Sequence, residues 1–101
     1  MKIVAVTACP TGIAHTYMAA EALERAAKKL GYEIKVETQG SIGVENKISK
    51  KEANEADLVI FAVDVSVKEE SRFNGKPIYK IEAQKAIKNA KAVIEEALKL
   101  L

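Results

Sequence analysis

The sequence has a single cysteine, a single histidine and only two prolines. With one cysteine, no disulfide can form within the chain, which is typical of proteins from a reducing compartment. One histidine and one cysteine are also too few for a convincing zinc site. We therefore expect a protein that works without disulfides and without a metal, and we expect no other cofactor.

An excess of charge of one sign is absent as well. The 16 basic and 14 acidic residues leave a net charge of +2, which gives no reason to expect a nucleic-acid partner. No stretch approaches the ~18 to 20 apolar residues that cross a bilayer, and the apolar run at residues 3–6 is too short for a signal sequence. We expect a cytoplasmic protein that meets a membrane only through another protein and is not itself inserted.

The length and composition are those of one globular domain. The chain has 101 residues, of which 49% are hydrophobic and 30% are charged. No internal repeat, low-complexity segment or linker divides it. We therefore expect residues 1–101 to form a single domain.

Short apolar runs predict four strands. Residues 3–6 and 58–63 are wholly apolar, which is typical of strands buried in the middle of a parallel sheet. Residues 33–38 alternate charged and apolar side chains, so one face of that strand is expected to meet water. Residues 77–79 form a brief strand, and the proline at its first position suits the edge of a sheet.

Apolar residues at spacings of three and four predict helices between these strands. The first helix runs from residue 13 to residue 30, and Gly31 is placed to end it. Ser49 caps a short helix over residues 50–56, with Glu52 as its partner in a capping box. The last helix has its apolar face along residues 83–101.

Strands that alternate with helices predict an α/β fold with right-handed crossovers. Burial puts the two wholly apolar strands in the middle, so we expect a four-stranded parallel sheet in the order 2-1-3-4 with helices on both faces. In this order the chain reverses direction between strands one and three, which opens a crevice at their carboxyl ends. Cys9 follows the first strand and is expected at that crevice.

The segment from Cys9 to Thr16 begins with the only thiol of the sequence and continues through a glycine-containing turn into the first predicted helix. The backbone N–H groups of residues 11–15 have no partners within the first helical turn. Curled into a nest, they form an anion site that the helix dipole reinforces. Such a site favours a thiolate and holds the oxygens of a phosphoryl group on the sulfur. Cys9 is therefore the predicted nucleophile and phosphoryl carrier.

The other residues of this loop are predicted to bind the phosphoryl group, although several have plainer interpretations. Pro10 stiffens the loop, and Gly12 either lets the backbone approach a phosphate or is an ordinary turn residue. Thr11 and Thr16 are equally suited to phosphate contact and to helix capping. His15 either donates to a phosphoryl oxygen or is a polar residue of the first helical turn. The predicted phosphoryl-binding set is Pro10, Thr11, Gly12, Ile13, Ala14, His15 and Thr16.

The spacing from Cys9 to His15 resembles the Cys-x5-Arg loop of protein tyrosine phosphatases, with histidine in the place of arginine. Arginine would clamp the phosphoryl group through two hydrogen bonds. Without that clamp, hydrolysis by water should be slow, which suits a carrier better than a phosphatase. Asp64, at the end of the third predicted strand, is more readily explained as a loop-ordering carboxylate than as a general acid.

Three segments together resemble a known family over essentially the whole chain. Residues 8–20, Ala-Cys-Pro-Thr-Gly-Ile-Ala-His-Thr-Tyr-Met-Ala-Ala, are close to the signature of the fructose-type enzyme IIB component of the bacterial phosphoenolpyruvate-dependent sugar phosphotransferase system. Residues 37–41 with Gly43 resemble a second segment of that family, and residues 56–64 together with residues 72–77 resemble a third.

The resemblance implies a transferase with a parallel four-stranded α/β fold. In this family the cysteine, here Cys9, takes a phosphoryl group from a phosphohistidine of enzyme IIA. It passes the group to a sugar, typically fructose, bound by the membrane-embedded enzyme IIC, which would bring the protein to the inner face of the membrane. A regulatory module of the same fold and a phosphatase-like enzyme stay open as alternatives. Residues 39–43 and 72–76 are either partner contacts or ordinary loops.

Overall fold

The computed structural model describes residues 1–10 and 13–101 as an α/β domain with one sheet between two layers of helix. The elements in chain order are β1 (Lys2–Ala8), α1 (Ile13–Leu30), β2 (Glu33–Gly40), β3 (Gly43–Glu45), α2 (Lys50–Glu55), β4 (Leu58–Val63), a 3-10 helix (Glu70–Phe73), β5 (Ile78–Ile81) and α3 (Ala83–Leu98). The predicted α/β class and single domain are therefore confirmed.

The sheet has five strands in the order β3-β2-β1-β4-β5. Strand β1 is parallel to β2 on one side and to β4 on the other, and β5 is parallel to β4. Strand β3 is antiparallel to β2. The predicted four-stranded parallel sheet in the order 2-1-3-4 is therefore wrong, because the sheet is mixed and has an additional edge strand.

The missed strand β3 has a physical explanation in its length and exposure. It spans only Gly43–Glu45 and faces solvent with Val44 and Glu45, so it shows neither an apolar run nor an alternation. Its pairing starts at Gly40 and Gly43, which face each other across a tight turn. Gly43 has φ +113°, a conformation that favours glycine. The hydroxyl of Tyr17 donates to the carboxylate of Glu45 and so holds β3 against α1.

Alternating side chains of the central strands build two separate cores. On one face, Ile3 and Ala5 of β1 pack with α1 and α3. On the other face, Val4, Val6 and Ala8 pack against α2 and the 3-10 helix. This two-sided burial explains why β1 and β4 are apolar at nearly every position.

The predicted helices are present with small changes at their ends. Helix α1 has the predicted bounds, and Gly31 directly after its last residue has φ +83°. Helix α2 stops one residue before the predicted end because Ala56 is extended, and both hydrogen bonds of the predicted capping box are present. Helix α3 ends at Leu98, before the predicted end, and is kinked at Asn89, whose side-chain oxygen accepts from the N–H of Ala92 at 3.1 Å.

Glu52 makes the capping box sensitive to acid. Its carboxylate accepts from Lys35 Nζ at 2.8 and 3.0 Å and from the Ser49 N–H at 2.9 Å. The hydrogen bond from Lys35, followed by that from Ser49, lowers the pKa of Glu52 to about 2. A carboxyl whose pKa is lowered by folding stabilises the fold above its unfolded pKa and loses that contribution as the pH falls toward the folded pKa.

We expect the wild-type protein to lose stability relative to Glu52→Gln as the pH falls from about 4.5 to about 2. Glutamine takes up no proton, so the variant lacks this part of the acid response. Urea unfolding of both proteins at several pH values measures the difference. Curves that stay parallel over this range would contradict the role given to Glu52.

Candidate active site

Cys9 lies at the carboxyl edge of the sheet, directly after β1. The last residue of β1, Ala8, is paired with Val63 at the end of β4, and the N–H of Asp64 donates to the Ala8 carbonyl at 3.0 Å. Cys9 is partly buried, whereas Pro10 is exposed. Because β1 lies between β2 and β4, Cys9 leaves the sheet at the middle of this edge.

The structure brings the side chain of His15 close to the thiol of Cys9. Its Nδ1 lies 3.9 Å from the sulfur of Cys9, and the imidazole is exposed in the first turn of α1. At this distance the contact is long for a hydrogen bond, even to sulfur. It nevertheless leaves the imidazole in reach of a group bound to the sulfur, since a phosphoryl oxygen extends beyond the sulfur into solvent.

The first turn of α1 is fastened to the end of β1. The hydroxyl of Thr7, which is fully buried, donates to the carbonyl of Thr16 at 3.0 Å. This bond fixes the direction in which α1 leaves the sheet edge next to Cys9. The first turn of α1 contains no acidic residue, so no carboxylate of that turn repels an anion at the amino end of the helix. The site therefore offers a thiol, an imidazole and the start of a helix, whose first N–H groups have no partner within the helix.

The other predicted phosphoryl-binding residues are only partly described. Thr11 and Gly12 lie outside the described residues, and so does the side chain of Ile13. Ala14 is exposed, whereas Thr16 is fully buried. Within residues 1–10 and 13–101, the hydroxyl of Thr16 is one of two buried side-chain polar atoms without a hydrogen-bond partner. The phosphoryl contacts predicted for these residues stay predictions.

Asp64 contributes its backbone to this edge. Its side chain is exposed, and its N–H makes the bond to the carbonyl of Ala8. The roles of general acid and of loop-ordering carboxylate both stay predictions for this residue.

A buried ion pair at the same edge is not indicated by the sequence pattern. The carboxylate of Glu37 on β2 accepts from Arg72 at 2.6 and 2.9 Å, and from the N–H of Ile48 at 2.7 Å. The side chains of Arg72 and Glu37 are only 7% and 1% exposed. Alternation predicts Glu37 on the wet face of its strand, so its complete burial corrects that prediction.

The ion pair shifts the protonation of both partners. Burial alone raises the pKa of Glu37, but hydrogen bonds from Arg72, Gln39 and the N–H of Ile48 outweigh it, so the pKa lies below its ordinary value. The hydrogen bond to Glu37 raises the pKa of Arg72. Both groups are therefore charged in the folded state at neutral pH.

Gln39 joins this pair to the loop that follows β4. Its side-chain nitrogen donates to Glu37 at 2.6 Å and to the Lys68 carbonyl at 3.3 Å, while its side-chain oxygen accepts from the Lys68 N–H at 2.9 Å. One sequence signal for this polar cluster is the run Glu37-Thr38-Gln39, because it lies at the carboxyl end of a strand. Its partner Arg72 could not be assigned without the fold.

The described part of the chain contains neither a cluster of metal ligands nor a membrane-spanning helix. Among these residues, no group of three or more His, Cys, Asp or Glu side chains is placed to hold a metal ion. None of the helices in the described ranges combines the length and the apolar character that a membrane crossing requires.

Comparison with known proteins points to one family. Residues 4–96 match the family model described as PTS system, Lactose/Cellobiose specific IIB subunit. The chain is 55% identical over 95 residues to the PTS system fructose-like EIIB component 2 of Escherichia coli K12, covering 94% of this chain and 90% of that protein. It is also 50% identical over 98 residues to the PTS system 2-O-alpha-mannosyl-D-glycerate-specific EIIABC component of the same strain, covering 97% of this chain but 15% of that protein.

A solved structure shows the same fold at high sequence identity. The domain from the fructose-specific IIABC component of Borrelia burgdorferi superposes with a TM-score of 0.92 and 54% identity, over 97% of this chain and 93% of that domain.

Proposed function

Since the chain belongs to the IIB components of the sugar phosphotransferase system, we propose that it carries a phosphoryl group on the sulfur of Cys9. Its relatives include fructose-type components, so it is a transferase that acts in sugar uptake. IIB domains work together with IIA and IIC components, and the EIIABC relative contains all three in one protein. We further propose that residues 1–101 are one IIB unit that meets enzyme IIC at the cytoplasmic face of the membrane.

The position of Cys9 is the observation that supports this proposal. The thiol stands at the middle of the carboxyl edge, directly before α1, with His15 3.9 Å from the sulfur. Ligands of open α/β sheets bind at this edge, and helix starts bind anions. A thiol at this position is suited to accept a phosphoryl group and then to transfer it to another molecule.

The proposed chemistry consists of two in-line displacements at phosphorus. The Cys9 thiolate attacks the phosphorus of a phosphohistidine on enzyme IIA, and the S–P bond forms as the histidine nitrogen leaves with the bonding electron pair. A sugar hydroxyl oxygen then attacks the same phosphorus and releases its proton to water, and the sulfur leaves with the S–P electron pair as a thiolate again. Loop N–H groups and His15 hold the phosphoryl oxygens throughout.

Fructose is the proposed acceptor, held by enzyme IIC. This choice of acceptor is supported by relatives that are named as fructose-like or fructose-specific components. The relative that is specific for 2-O-alpha-mannosyl-D-glycerate is 50% identical to this chain, so related sugars belong in any test of the acceptor.

Incubation of the chain with phosphorylated enzyme IIA should add one phosphoryl group, which intact-mass spectrometry detects and peptide mapping assigns to residue 9. Membranes that contain enzyme IIC, supplied with fructose and a panel of other sugars, should then remove this group and release a sugar phosphate. A chain that stays unmodified, or is modified elsewhere, contradicts the proposal. Uptake of the phosphoryl group without transfer to any sugar would favour the regulatory alternative.

A further inference from the structure

The loop after β4 crosses the sheet edge beside Cys9. It begins at Asp64, whose N–H is bonded to Ala8 at the end of β1, and it reaches β2 at Lys68, which is bonded to Gln39. Since the strand order is β2-β1-β4, the residues between these two points pass the carboxyl end of β1. We refer to residues 64–68 as the crossing segment.

The crossing segment lies on the face of the sheet opposite to α1. Its residue Val67 is buried in the same core as Ala8 and Phe73, whereas α1 packs in the other core. Cys9 therefore leaves the sheet between the start of α1 on one side and the crossing segment on the other. The crossing segment is therefore the element on the side of Cys9 that α1 does not occupy.

A fully bonded network holds the far end of the crossing segment. The guanidinium of Arg72 uses its N–H groups on Glu37 at 2.6 and 2.9 Å and on three backbone carbonyls, those of Ile48 at 2.7 Å, Glu69 at 2.9 Å and Lys68 at 3.0 Å. Gln39 adds one bond to each backbone polar group of Lys68. Both the carbonyl and the N–H of Lys68 are thus bonded to Gln39 on β2, and the carbonyl is also bonded to Arg72.

Burial of two charges is an expensive way to stabilise a small domain, because apolar residues of similar volume often do as well or better. What such a network provides in addition is one definite geometry, since every side-chain polar atom of Glu37, Gln39 and Arg72 is hydrogen-bonded. Here that geometry is imposed on the backbone next to the thiol.

We propose that Glu37, Gln39 and Arg72 are positioning residues that hold the crossing segment against Cys9 and so set the geometry of phosphoryl transfer. This inference rests on the function proposed above. None of the three is assigned a contact with the phosphoryl group, so they act through the backbone of residues 64–68. A displacement of about 1 Å at a reacting centre is enough to slow a reaction on the order of a hundredfold.

Gln39→Met is the sharpest test, because it removes the bond to the Lys68 N–H and one of the two side-chain bonds to the Lys68 carbonyl, and leaves the ion pair of Glu37 with Arg72 in place. Asp57→Leu is the matched control. The Asp57 carboxylate accepts from the N–H of Lys2 at 2.9 Å, at the start of β1 and therefore at the opposite edge of the sheet. Both variants remove a side-chain hydrogen bond to a backbone N–H, but only one of them acts at the edge that carries Cys9.

Phosphorylation of each full-length variant by phosphorylated enzyme IIA is followed over a range of donor concentrations, with urea unfolding in parallel. We expect Gln39→Met to lower the maximal rate about tenfold or more while the half-saturating donor concentration changes less than about twofold. Asp57→Leu should keep the wild-type maximal rate, even if its urea midpoint falls as far as that of Gln39→Met. Hydrogen exchange at the Lys68 amide should become faster in Gln39→Met alone.

Equal maximal rates in the two variants at equal stability would overturn the inference. If Gln39→Met does not fold, the double variant Glu37→Met with Arg72→Met takes its place, since apolar replacement of a buried pair is often tolerated. A wild-type rate in that folded double variant would equally overturn the positioning role. Failure of the wild-type chain to accept a phosphoryl group is a different result, because it removes the proposed function itself, and the positioning role falls with it.

Discussion

Cys9→Ser should take up no phosphoryl group from phosphorylated enzyme IIA, with a loss of rate on the order of a thousandfold or more. The two side chains differ by one atom, so the partly buried site should keep its shape. A thiol provides some thiolate at neutral pH, and sulfur is intrinsically a strong nucleophile, whereas a serine hydroxyl without an adjacent base is a weak one. The second step is affected as well, since a phosphate ester on serine has a poorer leaving group than a thiophosphate.

Intact-mass spectrometry after incubation with the phosphorylated donor measures this loss directly. The matched control adds Ser71→Cys to Cys9→Ser, which restores one thiol per chain at an exposed position of the 3-10 helix. This double variant should stay unmodified, because a thiol away from the start of α1 lacks the anion site. Retention of the phosphoryl group by Cys9→Ser would show that another residue carries it.

The surroundings of Cys9 could be predicted because they are local in sequence. An apolar run, a turn with glycine and a helical periodicity follow one another within residues 3–30, and each is visible without knowing the rest of the fold. The bounds of α1 and the position of Cys9 after β1 are confirmed for this reason. The capping box of Ser49 and Glu52 is confirmed on the same basis, since both of its bonds span three residues.

The features that sequence patterns miss depend on contacts between distant residues. Glu37 and Arg72 are 35 positions apart, and nothing near either of them indicates a partner. The alternating pattern predicts that Glu37 is exposed, because it depends only on the order of apolar and charged residues along the strand. It carries no information about a counter-charge, such as Arg72, that comes from another element. Strand β3 is missed because a three-residue edge strand has too few side chains to show a period.

Arg72→Met should destabilise the fold severely, lowering the free energy of unfolding by about 3–5 kcal/mol. The carboxylate of Glu37, only 1% exposed, would lose both bonds from the guanidinium and stay buried without a counter-charge. Domains of this kind have about 5–15 kcal/mol of stability in total, so the loss is a large share of it. Urea unfolding at neutral pH measures the effect.

The matched control is Arg25→Met, the same substitution in an ion pair with Glu21 whose side chains are 76% and 63% exposed. It should cost less than about 1 kcal/mol, because exposed pairs contribute little. The double variant Glu37→Met with Arg72→Met should recover much of the loss, since it removes the uncompensated charge. A single variant as stable as wild type, or a double variant no better than Arg72→Met, would contradict this account.

The deficit of Arg72→Met should also depend on pH in a definite direction. In the wild type the pKa of Glu37 is below its ordinary value of 4.5, so its contribution to stability is lost as the pH falls through the folded pKa. In the variant, burial without Arg72 raises the pKa of this carboxyl, which can then be neutral in the folded state. The two unfolding free energies should therefore converge as the pH falls toward and below 4.5. A deficit that came only from lost packing around the arginine would stay constant over the same range.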